Sequence, residues 1–369
     1  MADLSMHQSS DSGQPVVAKL SLLDRFLPVW IGLAMVVGIV IGRLFPSLKD
    51  TLERIKIDTV SLPIAIGLFA MMYPVLAKVR YTSMGAVVAD RRSLILSLVL
   101  NWVVGPALMF TLAWLLLPDL PEYRTGLIIV GLARCIAMVL IWNDLACGNS
   151  ELAAVLVAIN SLFQIVAYSL LGYLYLELIP GWLGLDSAGI DVTVWQIGTS
   201  VLIFLGIPLV AGYVTRLVGE RRKGTDWYEH RFLPRIGPFA LYGLLFTIVV
   251  LFALQGDRIT SEPFDVARIA LPLLIYFAIM WFGSFAIGLK LGLAYDRNAA
   301  IAFTAAGNNF ELAIAVAIGV FGVASGQALA GVVGPLIEVP VLVALVYVAL
   351  WARRRFYPAA AEDEVSTTR

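Results

Sequence analysis

Apolar residues run nearly unbroken through ten stretches of this chain, each close to the roughly 20 residues that an α-helix needs to cross a bilayer. A soluble fold would alternate apolar and polar faces at helical or strand spacing. Only 14% of the 369 residues are charged, against roughly 25% in soluble domains. Breaks at charges, prolines and glycine clusters put the spans at 26–46, 59–79, 93–117, 123–145, 149–178, 194–216, 235–255, 266–294, 298–320 and 327–352. The pattern predicts an all-α integral membrane protein of ten transmembrane helices, solvated by the lipid bilayer.

Lys and Arg total 26 and Asp and Glu total 26, with no field of one sign, which argues against a nucleic-acid partner. Position carries the information instead. Eighteen of the basic residues fall on the tails and loops that share a side with the N-terminus and seven on the opposite side. The positive-inside rule therefore predicts a multi-pass protein of the cell membrane with both termini cytoplasmic. Residues 1–22 are polar and lack the basic start and cleavage site of a signal peptide, so a disordered cytoplasmic tail is expected there, with a second at 356–369.

The polar segment at 180–193 divides the spans into two sets of five, at 23–179 and 194–355. Because five is odd, the second set crosses in the opposite sense, as in transporters built on inverted repeats. Leu152, Ala153 and Val155 recur as Leu329, Ala330 and Val332, 177 residues on, and the same offset carries Arg134 onto Glu311.

One basic residue remains, Arg134, in the middle of the fourth span. An ionisable group there costs at least about 2.5–3.5 kcal/mol on insertion scales and calls for a reason. Gly131-Leu132-Ala133-Arg134-Cys135 in span 4 and Gly307-Asn308-Asn309-Phe310-Glu311 in span 9 are places where a helix can be interrupted, provided that protein or a water-lined cavity satisfies the freed backbone. Facing breaks would gather Arg134, Cys135, Asn308, Asn309 and Glu311. The structural alternative is a buried Arg134–Glu311 ion pair that only joins the two halves. A thiol beside Arg134 and a half-helix start would gain thiolate character, whereas Cys147, in a short turn, reads as structural. Asn101, Trp142, Asn143 and Asn160 are further candidate substrate contacts, against roles as interhelical hydrogen-bond links or, for Trp142, as an interfacial anchor. Glu338 is a second candidate for proton coupling, or a group satisfying backbone freed by Pro340. No ATP-binding phosphate loop or metalloprotease motif occurs, and His7 and His230 both lie outside the spans. An intramembrane enzyme would need a catalytic dyad that the spans do not offer, so we expect no enzyme, no cofactor and no ATP site on this chain.

The stretch Gly131-Leu132-Ala133-Arg134-Cys135-Ile136-Ala137-Met138-Val139, with Trp142-Asn143-Asp144-Leu145-Ala146 and Asn308-Asn309-Phe310-Glu311-Leu312-Ala313-Ile314-Ala315, resembles the arsenical-resistance arsenite efflux permeases of the bile acid, arsenite and riboflavin transporter superfamily. The resemblance runs from about Leu23 to Arg355. It implies two inverted five-helix repeats, a core domain from spans 3–5 and 8–10, a panel domain from spans 1, 2, 6 and 7, and crossed, interrupted helices 4 and 9. It also implies proton-coupled arsenite export that requires the cysteine matching Cys135 and the glutamate matching Glu311. Trivalent arsenic is a neutral, thiophilic hydroxide in water, and antimonite is a second candidate cargo. One soft sulfur ligand, Cys135, aided by hydrogen bonds from Asn and Arg, would select the metalloid and still release it. The rival within the superfamily is a sodium-coupled importer of bile-acid-like organic anions, which gives Cys135 no task.

Overall fold

The computed structural model describes residues 26–45, 47–48, 56–57, 60–79, 91–136, 138–185, 193–261 and 263–357. The two expected tails, apart from Phe356 and Tyr357, and residues 186–192 of the expected linker lie outside the described residues. Helix dominates. The order is α1 (Leu27–Leu44), a two-residue hairpin ladder of β1 (Lys56–Ile57) and β2 (Val60–Ser61), and α2 (Leu62–Ala77). Then come α3 (Arg91–Leu116), α4 (Pro121–Leu132), α5 (Met138–Leu145) and α6 (Ser150–Leu183). The second part holds α7 (Val194–Lys223), α8 (Leu233–Ser261), α9 (Pro263–Lys290), α10 (Tyr295–Ala306), α11 (Phe310–Phe321) and α12 (Gly326–Phe356). Each apolar stretch of the sequence finds its helix, and those at 123–145 and 298–320 are split in two. Helix α6 continues to Leu183, so the connection to α7 begins later than residue 180.

Among the described residues, six helical stretches are long and apolar enough to cross a membrane, and apolar side chains on these and on the shorter α1 face the way a lipid solvent dictates. Val29, Leu33, Val36 and Val40 form one exposed stripe on α1, and Ile207, Val210, Val214 and Val218 another on α7. The 3–4 residue spacing is that of a core-facing helix in water; here the stripes point outward. On the inward face of α1, a Cβ on Gly38 would lie 2.6 Å from the Val249 carbonyl and one on Gly42 would collide with Ala253, so the α1 and α8 backbones meet directly. Such close approach is how helices associate where there is no hydrophobic drive between them.

Four π-helical turns, at Leu100–Val104, Leu174–Leu178, Leu202–Gly206 and Tyr228–Phe232, share one cause. Each is followed two residues later by proline: Pro106, Pro180, Pro208 and Pro234. A proline ring has no N–H and crowds the carbonyl four residues back, and widening the turn before it relieves both.

Helix α8 packs on α1 and α2, and α7 on α2; α4 packs on α3, α11 and α12, and α9 on α3, α10 and α12. Near one end, Arg268 of α9 makes a bidentate pair with Asp119 at 2.6 and 2.7 Å, tying α9 to the turn before α4. The guanidinium holds the Asp119 carboxyl down at about 2.

Candidate functional site

The fourth span is helical to Leu132, extended through Ala133–Cys135, and helical again from Met138; the ninth is helical to Ala306 and again from Phe310. The extended pieces cross as a minimal antiparallel pair with Arg134 opposite Asn308, and the Asn309 N–H donates to the Ala133 carbonyl at 3.1 Å. Interrupted backbone in a buried place requires a partner for every freed group. The last turn of α4 meets this requirement with side chains from elsewhere. Tyr168 Oη donates to the Ile129 carbonyl (2.7 Å), Asn308 Nδ2 to that of Val130 (2.7 Å), and Arg134 Nη2 to that of Gly131. A cation at a helix C-terminus also complements the helix dipole. At the opposing break, Asn309 caps α11 by accepting the Leu312 N–H at 3.0 Å.

Arg134 is fully buried. Its Nη1 donates to Tyr276 Oη at 2.8 Å, and its backbone N–H donates to Gln164 Oε1 at 2.9 Å. Space for the guanidinium comes from Gly105, where a Cβ would lie 2.6 Å from Nη1. The Arg134–Glu311 ion pair weighed from the sequence is not formed, since the guanidinium is directed to Tyr276 and Gly131. The crossing sets Arg134 against Asn308, three residues short of Glu311.

Cys135 is 3% exposed, facing Gly307, whose missing Cβ would lie 3.0 Å from the cysteine Cβ and 3.5 Å from Sγ. Three nearby polar atoms are buried and have no hydrogen-bond partner: Arg134 Nε, Asn308 Oδ1 and Asn309 Nδ2. Glu311 is half-buried in the first turn of α11. Glu338 is buried in α12, and its Oε1 has no hydrogen-bond partner.

The other expected contacts are placed as follows. Asn101 bonds back to Ser97 on its own helix, and Asn160 accepts from Trp102 Nε1 at 3.3 Å. Trp142 and Asn143 are buried in α5 with unpartnered side-chain polar atoms, and Asn143 packs against Gly148 rather than the crossing. Cys147 is exposed, at a φ of 55° in the turn before α6. The sequence reading missed Gln164 and Tyr276. Gln164, an amide in the middle of an apolar run, satisfies the same test that singled out Asn160; an aromatic such as Tyr276 leaves no such signal.

Interrupted, crossing helices within an all-helical bundle that turns its apolar side chains outward define a multi-pass membrane protein. The chain matches the family model described as the Sodium Bile acid symporter family over residues 65–262. It is 57% identical over 341 residues to the arsenical-resistance protein Acr3 of Corynebacterium glutamicum, covering 92% of each chain. It is 32% identical to the arsenical-resistance protein Acr3 of Alkaliphilus metalliredigens (93% of this chain, 97% of that one). An uncharacterized transporter of a Synechocystis species is 39% identical over 358 residues. The chain belongs to the Acr3 arsenical-resistance proteins within the sodium bile acid symporter family.

Proposed function

We propose that this protein exports arsenite from the cytoplasm in exchange for protons, by alternating access around the crossing of the fourth and ninth spans. The observation that carries the reading is the buried thiol of Cys135 beside three unpartnered polar atoms: an acceptor on Asn308 and donors on Asn309 and Arg134. Arsenous acid presents a thiophilic centre and three hydroxyls, each both donor and acceptor, so one As–S bond and a few hydrogen bonds suit this set. A single sulfur keeps the bond reversible. Antimonite, with the same preference for sulfur, is a second cargo on these grounds.

An inverted repeat is supported by matched ties at the two ends of the bundle. Glu122, in the first turn of α4, accepts the Gly326 N–H at the start of α12 (3.1 Å). Asp296, in the first turn of α10, accepts from Asn149 at the start of α6 (2.7 Å). The packing of α1, α2, α7 and α8 on one another supports a panel that moves against a core of the remaining helices. Both termini are taken as cytoplasmic from the basic loops, with Glu311, aided by Glu338, carrying the coupled proton. The sodium-coupled importer is not favoured, because it leaves Cys135 without a task and the two arsenical-resistance relatives cover nearly all of the chain.

The test is arsenite movement into everted vesicles containing the purified protein. Uptake driven by an imposed proton gradient, absent in Cys135→Ser and normal in Cys147→Ser, is expected. Uptake that follows sodium and ignores pH would overturn the proton reading, and full activity of Cys135→Ser would remove the thiol from the site.

A further inference from the structure

In an antiparallel crossing this short, the peptide groups flanking the central pair join the two strands, as Asn309 N–H does with the Ala133 carbonyl. The N–H groups of the central pair itself, Arg134 and Asn308, then point away from each other. Buried as both are, each needs an acceptor from a neighbouring helix. Gln164 of α6 supplies one at 2.9 Å. Gln164 lies on α6 and Glu338 on α12, the helices that follow the two broken spans. The two residues thus sit on corresponding helices, one neutral and one acidic. Gln164 is fully buried and locked in orientation, since its Nε2 donates to the Asn160 carbonyl at 3.0 Å and leaves only Oε1 to face Arg134. On the other side, one oxygen of Glu338 has no partner.

We infer that Gln164 is the positioning residue for the Cys135 segment. Its carbonyl holds the Arg134 peptide, and through it the adjacent thiol, at the angle that the site requires. The inference deepens the arsenite reading and rests on it for its meaning in transport, but the placement of the thiol is measurable without any cargo.

The experiment uses the full chain carrying Cys147→Ser, so that Cys135 is the sole thiol, reconstituted in vesicles and treated with N-ethylmaleimide. Gln164→Leu removes the acceptor at similar volume, Gln164→Asn withdraws it by one methylene, and Gln164→Glu keeps it. Loss of an acceptor from a buried N–H should change the Cys135 alkylation rate about tenfold in the Leu and Asn variants, and Gln164→Glu should stay within about threefold of the parent. A role in packing alone would spare Leu and Asn or impair Glu as much as Leu, and either result overturns the inference. If Gln164→Leu does not fold, Gln164→Asn decides. Arsenite KM should rise in Leu and Asn in step with the thiol rates. Altered thiol rates in a protein that moves no arsenite would sustain the positioning role and reject the transport reading.

Discussion

Gly105→Ala probes the arginine at the crossing with the smallest available change. The added Cβ would sit 2.6 Å from Arg134 Nη1, 3.2 Å from Cζ and 3.0 Å from Tyr276 Oη, where ordinary contact begins near 3.4 Å. Both partners of the 2.8 Å Arg134–Tyr276 bond must then retreat, the guanidinium by about 0.8 Å, and the bond leaves hydrogen-bonding range. A hydrogen bond to a charged group contributes about 1.5–3 kcal/mol, so a folding constant lower by roughly 10- to 150-fold is expected. The assay is unfolding of the purified protein in mixed detergent and SDS micelles, run as a double-mutant cycle with Tyr276→Phe. Because Gly105→Ala has already broken the bond, removing the hydroxyl in that background should cost at least about 1 kcal/mol less than in the parent. Costs that add within about 0.5 kcal/mol would refute the reasoning, showing that Gly105 is small for another reason.

Three further outcomes follow from the geometry. Gly307→Ala brings a methyl to 3.0 Å from the Cys135 Cβ, so Cys135 alkylation and arsenite export should fall together by about tenfold, measured against unchanged protein abundance. Glu311→Gln, which fixes the neutral form, should retain arsenite binding but lose uphill uptake into everted vesicles under a pH gradient, while Glu338→Gln should do less. Asp119, held at about 2 by Arg268, is paired and charged well below the usual carboxylate range. Its contribution to stability is fully present above about pH 4 and is lost as pH falls through about 2. The melting-temperature difference between the parent and Asp119→Asn should therefore be flat above pH 4 and vanish on further acidification.

The helical plan was legible because the bilayer imposes both length and polarity on each span, and those constraints are written as uninterrupted apolar runs. The breaks could be read from Gly131 and Gly307 with the polar residues after them. What could not be read was the partner of each polar group, because interhelical contacts depend on rotation and depth that composition does not encode. Arg134 thus seemed matched to Glu311 by charge, whereas its guanidinium serves the α4 C-terminus and Tyr276. Asn101 and Asn160 stand out as polar groups in an apolar setting, but the bonds they make, Asn101 to Ser97 and Asn160 to Trp102, could not be read from the sequence. The matching ties at Glu122 and Asp296 escaped notice, since acids near span ends are commonplace.

The crossing also sets a timetable for biosynthesis. The Val130 carbonyl is satisfied by Asn308, a residue 178 positions later in the chain, and the Ala133 carbonyl by Asn309. At about 5–20 residues per second, the ribosome takes roughly 10–35 seconds to span that interval. Throughout it, the part of the chain up to α6 carries these unmatched carbonyls at its centre, and lipid offers no hydrogen bonds. The first half is therefore an unfinished object rather than an independent domain, dependent on chaperone or translocon shelter until the ninth span arrives. A chain stopped after α6 should be cleared by quality control even though α3 and α6 are each long and apolar enough to cross a membrane.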